Sequence, residues 1–264
     1  MLITSAANPK YRAAMLLKQR RHEPRLLIDG HRELLYALRC GVRVDYWFVE
    51  QDSDAIDATD ERTLVEAIGR SPLRLSSPLF QKLAYGERKS GVVAVVERPE
   101  RSLEHLELPA APLIIVAEGL EKPGNVGAIA RSVDAVGADA LVLADSRLDP
   151  YSTNAIRASM GTIFSRRVAI ASTQRTRQWL AERGIAVVAA WVDAPELYVD
   201  QDLTGPVALV VGSEAHGLSA AWQETEMRRV SLPMSGTADS LNVSTTAAIL
   251  MYEAWRQRRV TVSG

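Results

Sequence analysis

The residues best suited to ligand chemistry stand in three short segments of the second half of the chain. The first, residues 118–145, contains a Pro-Gly turn and then a helical pattern that carries Asn125, Gly127 and Arg131. An arginine beside an uncrowded helix start can hold a phosphate through two parallel hydrogen bonds. The alternative is an ordinary surface arginine on an amphipathic helix.

The second segment, residues 207–219, is an apolar strand followed by a glycine-rich loop. Gly212 and Gly217 let backbone N–H and C=O groups approach a flat ligand closely. Glu214 stands between them at the carboxyl end of the strand, where open α/β sheets bind ligands. The alternative is a plain strand-to-helix turn with a solvated glutamate.

The third segment, residues 230–258, runs from an extended Leu-Pro-Met stretch through a flexible turn into the last helix. A single helix N-cap at Ser240 or Asn242 would need one polar side chain. The segment holds many more groups able to donate or accept hydrogen bonds, namely Ser235, Thr237, Asp239, Ser240, Asn242, Ser244, Thr245 and Thr246.

Strands and helices alternate around these segments. Residues 113–119, 140–145 and 207–212 are apolar runs without polar alternation, as expected of parallel strands covered on both faces. The βαβ order predicts an α/β fold with a parallel sheet. The sequence has no G-x-G-x-x-G, no phosphate loop and no G-x-S-x-G motif, which argues against dinucleotide-binding dehydrogenases, P-loop enzymes and α/β-hydrolases.

The first part of the chain predicts a smaller α/β unit of its own. Prolines and mixed charge mark residues 99–112 as a linker, so the predicted domains are residues 1–98 and 113–264. A helix is expected over residues 9–21, with Asn8 as its N-cap.

The N-terminal region is basic although the formal net charge of the chain is only −1. Residues 1–44 hold nine lysines and arginines against three acids. Such a patch suits a polyanion, because cations neutralise phosphates and release counterions; the alternative is a solvated helix face. The candidate contacts are Lys10, Arg12, Lys18, Arg20 and Arg21.

Composition excludes several other classes of protein. The single Cys40 rules out an internal disulfide and fits a reducing cytosol. The four histidines show no zinc-ligand spacing, so we expect no metal. No apolar run approaches the ~18 residues of a membrane span. Residues 1–22 loosely imitate an organelle transit peptide; we prefer a basic first helix of a cytoplasmic protein.

The three segments together resemble a known family. The patterns N-x-G-x-x-x-R, then G-x-E-x-x-G, then L-P-M with S-L-N-V-S look like motifs 1, 2 and 3 of SpoU (TrmH-like) methyltransferases of the SPOUT superfamily, in the same order. They span residues 113–258. The N-terminal region resembles, more loosely, this family's substrate-binding domain, an L30e/L7Ae-like RNA-binding fold.

The resemblance implies a deep C-terminal trefoil knot, S-adenosylmethionine as cofactor, RNA as partner and a homodimer with the active site at the subunit interface. It implies functional polar roles for Arg131, Asn125, Glu214, Ser240 and Asn242. It further places Arg157, with Ser159 and Gly161, near the target nucleotide. The implied cofactor contacts are Gly212, Ser213, Glu214, Gly217, Leu232, Pro233, Met234, Ser240, Leu241 and Asn242.

The expected reaction is methyl transfer to a ribose 2′-hydroxyl, with large-subunit ribosomal RNA as the expected substrate. Transfer RNA and a non-catalytic RNA-binding or ribosome-assembly factor on the same fold are the alternatives. Because a guanidinium stays protonated in proteins, we expect Arg131 to anchor the target phosphate while Ser240 or Glu214 relays the proton. The sequence names neither the nucleotide nor its base.

Overall fold

The computed structural model describes residues 2–19, 23–51, 54–85, 90–165, 167–213, 217–224 and 226–262. The strands are β1 Leu2–Ile3, β2 Arg25–Asp29, β3 Val44–Glu50, β4 Leu73–Leu75, β5 Val92–Glu97, β6 Leu113–Glu118, β7 Ala140–Ala144, β8 Val168–Ala171, β9 Ala186–Ala190, β10 Glu196–Leu197, β11 Val207–Val211 and β12 Arg228–Ser231. The α-helices are α1 Pro9–Gln19, α2 His31–Arg39, α3 Ala58–Ile68, α4 Ser77–Leu83, α5 Pro123–Val136, α6 Thr153–Ala158, α7 Thr173–Glu182 and α8 Val243–Val262.

The chain divides into two compact units, and the division differs from the predicted boundaries. The first unit comprises Met1–Glu100 together with Tyr151–Ser165, and the second comprises Arg101–Pro150 together with Arg166–Gly264. Of the stretch expected to be a linker, residues 101–112 belong to the second unit. Its Leu103 is 2% exposed and joins that unit's hydrophobic core, because burial of a leucine outweighs the loop character of the surrounding prolines.

A five-stranded mixed sheet forms the centre of the first unit. Its order is β1-β4-β3-β5-β2. The pairs of β5 with β2 and β3 are antiparallel, whereas β4 pairs in parallel with β3 and β1. The alternation of strands and helices therefore predicted the α/β class of this unit but not its mixed sheet. The short β1 and β4 were not predicted, since two or three residues carry too little periodicity, and the seven-residue α4 was not predicted either.

The inserted stretch, residues 151–165, packs on the first unit through α6 and a short 3₁₀ turn. Gly161 has φ 89°, and a Cβ there would lie 3.0 Å from the carbonyl oxygen of Glu33 and from the Cβ of Tyr36. Only glycine fits this left-handed position against α2. Tyr151 and Phe164 stack with their ring centroids 5.4 Å apart. The predicted second domain, residues 113–264, includes this stretch because the stretch follows that domain's strands along the chain.

A seven-stranded parallel sheet forms the second unit, in the order β10-β12-β9-β11-β6-β7-β8. The predicted α/β class with a parallel sheet is confirmed. Alternate residues of β6 such as Ile114 and Val116 join a core that includes Trp179 of α7 and Trp222. Helices α5 and α8 pack on one another, and α8 also packs on β6 and β11. Both sheet faces are thus covered, which explains the unbroken apolar strands.

Helix starts follow the local sequence. The side chain of Asn8 accepts hydrogen bonds from the backbone N–H groups of Lys10 and Tyr11 at 3.0 and 3.3 Å, as predicted for the N-cap of α1. Helix α3 begins at Ala58 because the side chain of Asp57 caps it by accepting from the N–H of Asp60. Within the described residues, no helix combines the length and apolar character needed to cross a membrane.

Candidate functional site

A cavity of about 420 Å³ lies at the carboxyl ends of β9, β11 and β12. This is the edge where open α/β sheets bind ligands, and the volume falls within the roughly 300–1,000 Å³ of small-molecule sites. Eight of the predicted cofactor contacts line it: Gly212, Ser213, Gly217, Leu232, Met234, Ser240, Leu241 and Asn242. Pro233 stands between two lining residues but is not among them, and Glu214 lies outside the described residues.

The loop after β11 has a narrow neck. The backbone N–H of Ser213 donates to the carbonyl of Gly217, and the reverse bond is also made, both at 3.1 Å. A Cβ on Gly212 would lie 2.3 Å from the carbonyl carbon of Gly217, so no larger residue fits without moving the backbone. Gly217 itself has φ 66°. Both predicted glycines are therefore required by the closure of the loop against the cavity.

Asn242 connects two of the predicted motifs. Its Oδ1 accepts from the backbone N–H of Ser244 at 2.9 Å and from that residue's hydroxyl at 2.6 Å, which makes Asn242 the N-cap of α8. Its Nδ2 donates to Oδ1 of Asn125 at 3.2 Å. Asn125 is 8% exposed, near the start of α5. The structure thus brings Asn125 and Asn242 together, although they are far apart in the sequence.

Arg131 lies apart from these residues. It is exposed on α5 and does not line the cavity. Within the described ranges, it takes part in no hydrogen bond or ion pair. Its guanidinium is free to bind an external phosphate. The cavity of the same chain does not include it.

Two charged side chains of opposite sign line the described part of the cavity, Lys122 before α5 and Asp239 before the last helix. The remaining walls are mostly backbone and apolar side chains. One of these is Trp191, whose ring lies 4.6 Å from the guanidinium carbon of Arg229. Such a site suits a flat, mainly apolar ligand that carries charge at one end.

The predicted RNA contacts of the first unit fall into two groups. Lys10 and Arg12 are exposed on α1. The ammonium of Lys18 instead donates to the carbonyls of Lys82 and Ala84 at 2.8 and 2.7 Å and lies over the ring of Tyr85. Burial lowers the pKa of Lys18. Lys18 therefore caps the end of α4.

Arg157 is engaged in the same region, since its guanidinium donates to the carbonyl of Tyr85 at 2.9 Å. Its neighbour Ser159 is fully buried and donates its hydroxyl to the carbonyl of Ile156. The Arg157–Tyr85 bond holds the inserted stretch on the first unit, whereas the Ser159 bond stabilises the stretch itself. Arg20 and Arg21 lie outside the described residues.

A family model decides what the cavity belongs to. The SpoU rRNA Methylase family matches residues 112–252, more than half of the 264 residues, and the match contains every residue that lines the cavity. The chain belongs to the SpoU rRNA methylase family. The predicted resemblance is therefore confirmed.

Relatives and solved structures agree with this assignment. A 23S rRNA (guanosine-2′-O-)-methyltransferase RlmB from Ralstonia nicotianae is 32% identical over 240 residues, 89% of this chain and 96% of that protein. The crystal structure of an RNA 2′-O ribose methyltransferase matches with TM-score 0.85 at 40% identity, covering 98% of this chain and 100% of that chain. The SpoU methyltransferase AviRb from Streptomyces viridochromogenes, crystallised with AdoMet, matches with TM-score 0.85 at 28% identity, covering 97% and 100%.

Several cavity residues of this SpoU chain escaped the sequence analysis. Lys122 precedes α5, and the others lie at the ends of strands: Ala190, Trp191, Val192, Val211 and Val230. The end of β9 could have been found, because β9 is an apolar strand and ligands bind at carboxyl ends. Val230 could not, since β12 was not predicted as a strand.

Proposed function

We propose that this SpoU family chain transfers a methyl group from S-adenosylmethionine to a ribose 2′-hydroxyl of 23S ribosomal RNA. The observation that carries the proposal is the cavity whose walls unite the second and third motifs beside the Asn125–Asn242 hydrogen bond. When bound, the cofactor supplies an electrophilic methyl group on a sulfonium. The protein supplies binding and orientation.

The backbone of Gly212, Leu232 and Leu241 would hold the cofactor's adenosine portion. A flat base fits against backbone at these positions because the loop neck at Gly212 leaves no room for side chains. Trp191 and Val211 add apolar walls. The volume and the mainly apolar lining both fit the cofactor.

Arg131 would anchor the phosphate of the target nucleotide and stabilise negative charge that develops on the attacking hydroxyl. It does not act as a base, because the guanidinium remains protonated. Ser240, which lines the cavity, or Glu214 would relay the hydroxyl proton to solvent. Asn125 and Asn242 would fix the position of the last helix start beside the reacting atoms.

We propose a homodimer in which Arg131 of one subunit serves the cavity of the other. Arg131 is exposed on α5 and does not line its own cavity. Helix α8 packs on α5 and exposes half of Tyr252, an aromatic surface of the kind enriched at interfaces. Light scattering should report a dimer that Tyr252→Glu weakens. A monomer with full activity would contradict this arrangement.

The deep trefoil knot is also a proposal. Strand β12 lies beside β9, yet the following helix α8 packs on β11 and β6, on the other side of β9. The connection, residues 232–242, must cross the strand ends where the loops after β9 and β11 also lie. Ordinary folds avoid such crossings. The chain path of a crystal structure would test this. If pulling that path from both ends straightens it without leaving a knot, the proposal is refuted.

For the first unit we propose the L30e/L7Ae-like RNA-binding role, with Lys10 and Arg12 as exposed contacts on α1. A small α/β unit with exposed cations on one helix suits binding to phosphates. The cytoplasm, where ribosomal RNA is modified in cells without a nucleus, is the proposed location.

The deciding experiment incubates the purified protein with tritiated S-adenosylmethionine and, separately, with hypomodified 23S ribosomal RNA and transfer RNA. The RNA is digested and the labelled nucleoside identified. We expect label in a 2′-O-methyl nucleoside of ribosomal RNA. Label only in transfer RNA would keep the chemistry and replace the substrate. Cofactor binding without label in either RNA would favour a binding factor, and no cofactor binding would refute the proposal.

A further inference from the structure

A buried carboxylate stands next to the cavity at the end of β6. Glu118 is 4% exposed. Its Oε1 accepts hydrogen bonds from the hydroxyls of Thr173 and Ser219, each at 2.7 Å, and its Oε2 accepts from the backbone N–H of Ser219 at 2.8 Å. All three donors are neutral. A buried carboxylate is costly unless it is well hydrogen-bonded. The three hydrogen bonds offset that cost here, and they fix Glu118 against Thr173 and Ser219.

The end of β6 lies beside both the entry and the exit of the loop that borders the cavity. The loop leaves β11 at Gly212 and Ser213, closes at Gly217, and Ser219 follows two residues later. A Cβ on Gly119, the residue after Glu118, would lie 3.5 Å from the Cβ of Ser213. Glu118 therefore holds the exit of the loop, while its neighbour Gly119 lies beside the entry.

The exit is also tied to the core beyond Ser219. The carbonyl of Ser219 accepts a hydrogen bond from the N–H of Trp222 at 3.2 Å, and the Trp222 side chain is fully buried. Thr173, the other donor to Glu118, is the first residue of α7. Glu118 thus links the loop exit to the start of a helix that is itself packed on the sheet.

We propose that Glu118 is a positioning residue for the cofactor. It holds Ser219 so that the neck between Gly212 and Gly217 stays closed, and this closed neck shapes the cavity wall. The inference rests on the proposed function, because it takes S-adenosylmethionine as the occupant. Glu118 does not itself line the cavity, so it acts on cofactor affinity through Ser219.

The test measures cofactor affinity and melting temperature in the full-length protein. Glu118→Gln keeps the shape of the side chain but presents an amide donor to one of the three donors around it. We expect the dissociation constant for S-adenosylmethionine, and for S-adenosylhomocysteine, to rise about tenfold in calorimetry. Ser219→Ala removes only the hydroxyl bond and should give a smaller rise; it keeps the test available if Glu118→Gln does not fold.

Two matched variants separate positioning from general stability. Glu253→Gln changes another buried carboxylate of the same unit, 9% exposed and bonded to Arg256 and Gln257 on α8. It should lower the melting temperature without changing the dissociation constant. Thr173→Val removes the bond on the α7 side alone and keeps both bonds to Ser219, so it should change affinity less than Glu118→Gln.

The outcomes are distinct. Wild-type affinity in Glu118→Gln or in Ser219→Ala would overturn the positioning role. So would an equal loss of affinity in Glu253→Gln, because the effect would then follow stability alone. If the wild-type protein bound neither S-adenosylmethionine nor S-adenosylhomocysteine, the proposed function itself would be refuted, and this inference would be refuted with it.

Discussion

At the scale of single residues, Gly212 offers the sharpest test of the cavity. Adding a Cβ there meets the backbone of Gly217 and Leu218 at 2.3 and 2.4 Å. Gly212→Ala should therefore open the loop neck and weaken S-adenosylmethionine binding about tenfold or more, since such overpacking costs about 1–3 kcal/mol. Gly205→Ala is the matched control, because its Cβ would meet no atom within 4 Å. Equal affinities in calorimetry would show that the neck does not shape the site.

Arg131 is the second test at this scale. Arg131→Ala should lower kcat on the order of a hundredfold, the usual effect of removing a group that stabilises charge in the transition state. The cofactor dissociation constant should stay unchanged, because Arg131 does not line the cavity. Arg131→Lys should be intermediate, since it keeps the charge but loses the bidentate fork. Arg183→Ala, an exposed arginine at the end of α7, is the control. Near-normal turnover in Arg131→Ala would refute the assignment.

At the scale of elements, the start of α8 combines a structural cap with a contact in the site. Asn242→Asp keeps the acceptor for Ser244 but loses the donor to Asn125. We expect it to melt like the wild type and to lose turnover. Asn242→Ala removes both and should also cost about 1 kcal/mol of unfolding free energy. Full turnover in Asn242→Asp would show that the amide donor is dispensable.

At the scale of the whole molecule, RNA binding should depend on the exposed cations of α1. Neutralising Lys10 and Arg12 together should reduce the slope of log affinity against log salt by about 1 to 2, if each contacts one phosphate. Lys18→Ala should act differently. It removes two hydrogen bonds to the end of α4. It should therefore lower the melting temperature and leave the salt slope of RNA binding nearly unchanged. Filter binding at several salt concentrations, with a thermal melt of each variant, would separate the two effects. The reverse pattern would place Lys18 at the RNA.

The sequence by itself determined the class and the chemistry. Continuous apolar strands predicted the parallel sheet because both faces of that sheet are buried. The glycines of the loop after β11 and the polar residues before α8 were predictable, since closure and capping depend on a few neighbours along the chain. The family followed from the same residues and is confirmed by the matched model.

The tertiary structure alone decided which of these residues meet. The Asn125–Asn242 bond and the Glu118–Ser219 bonds join residues more than a hundred positions apart, and no local pattern encodes such a pairing. It also decided that Lys18 holds α4 and that residues 151–165 join the first unit. Charge and chain order had pointed elsewhere, because a side chain's partners are set by packing across the fold rather than by its neighbours in sequence.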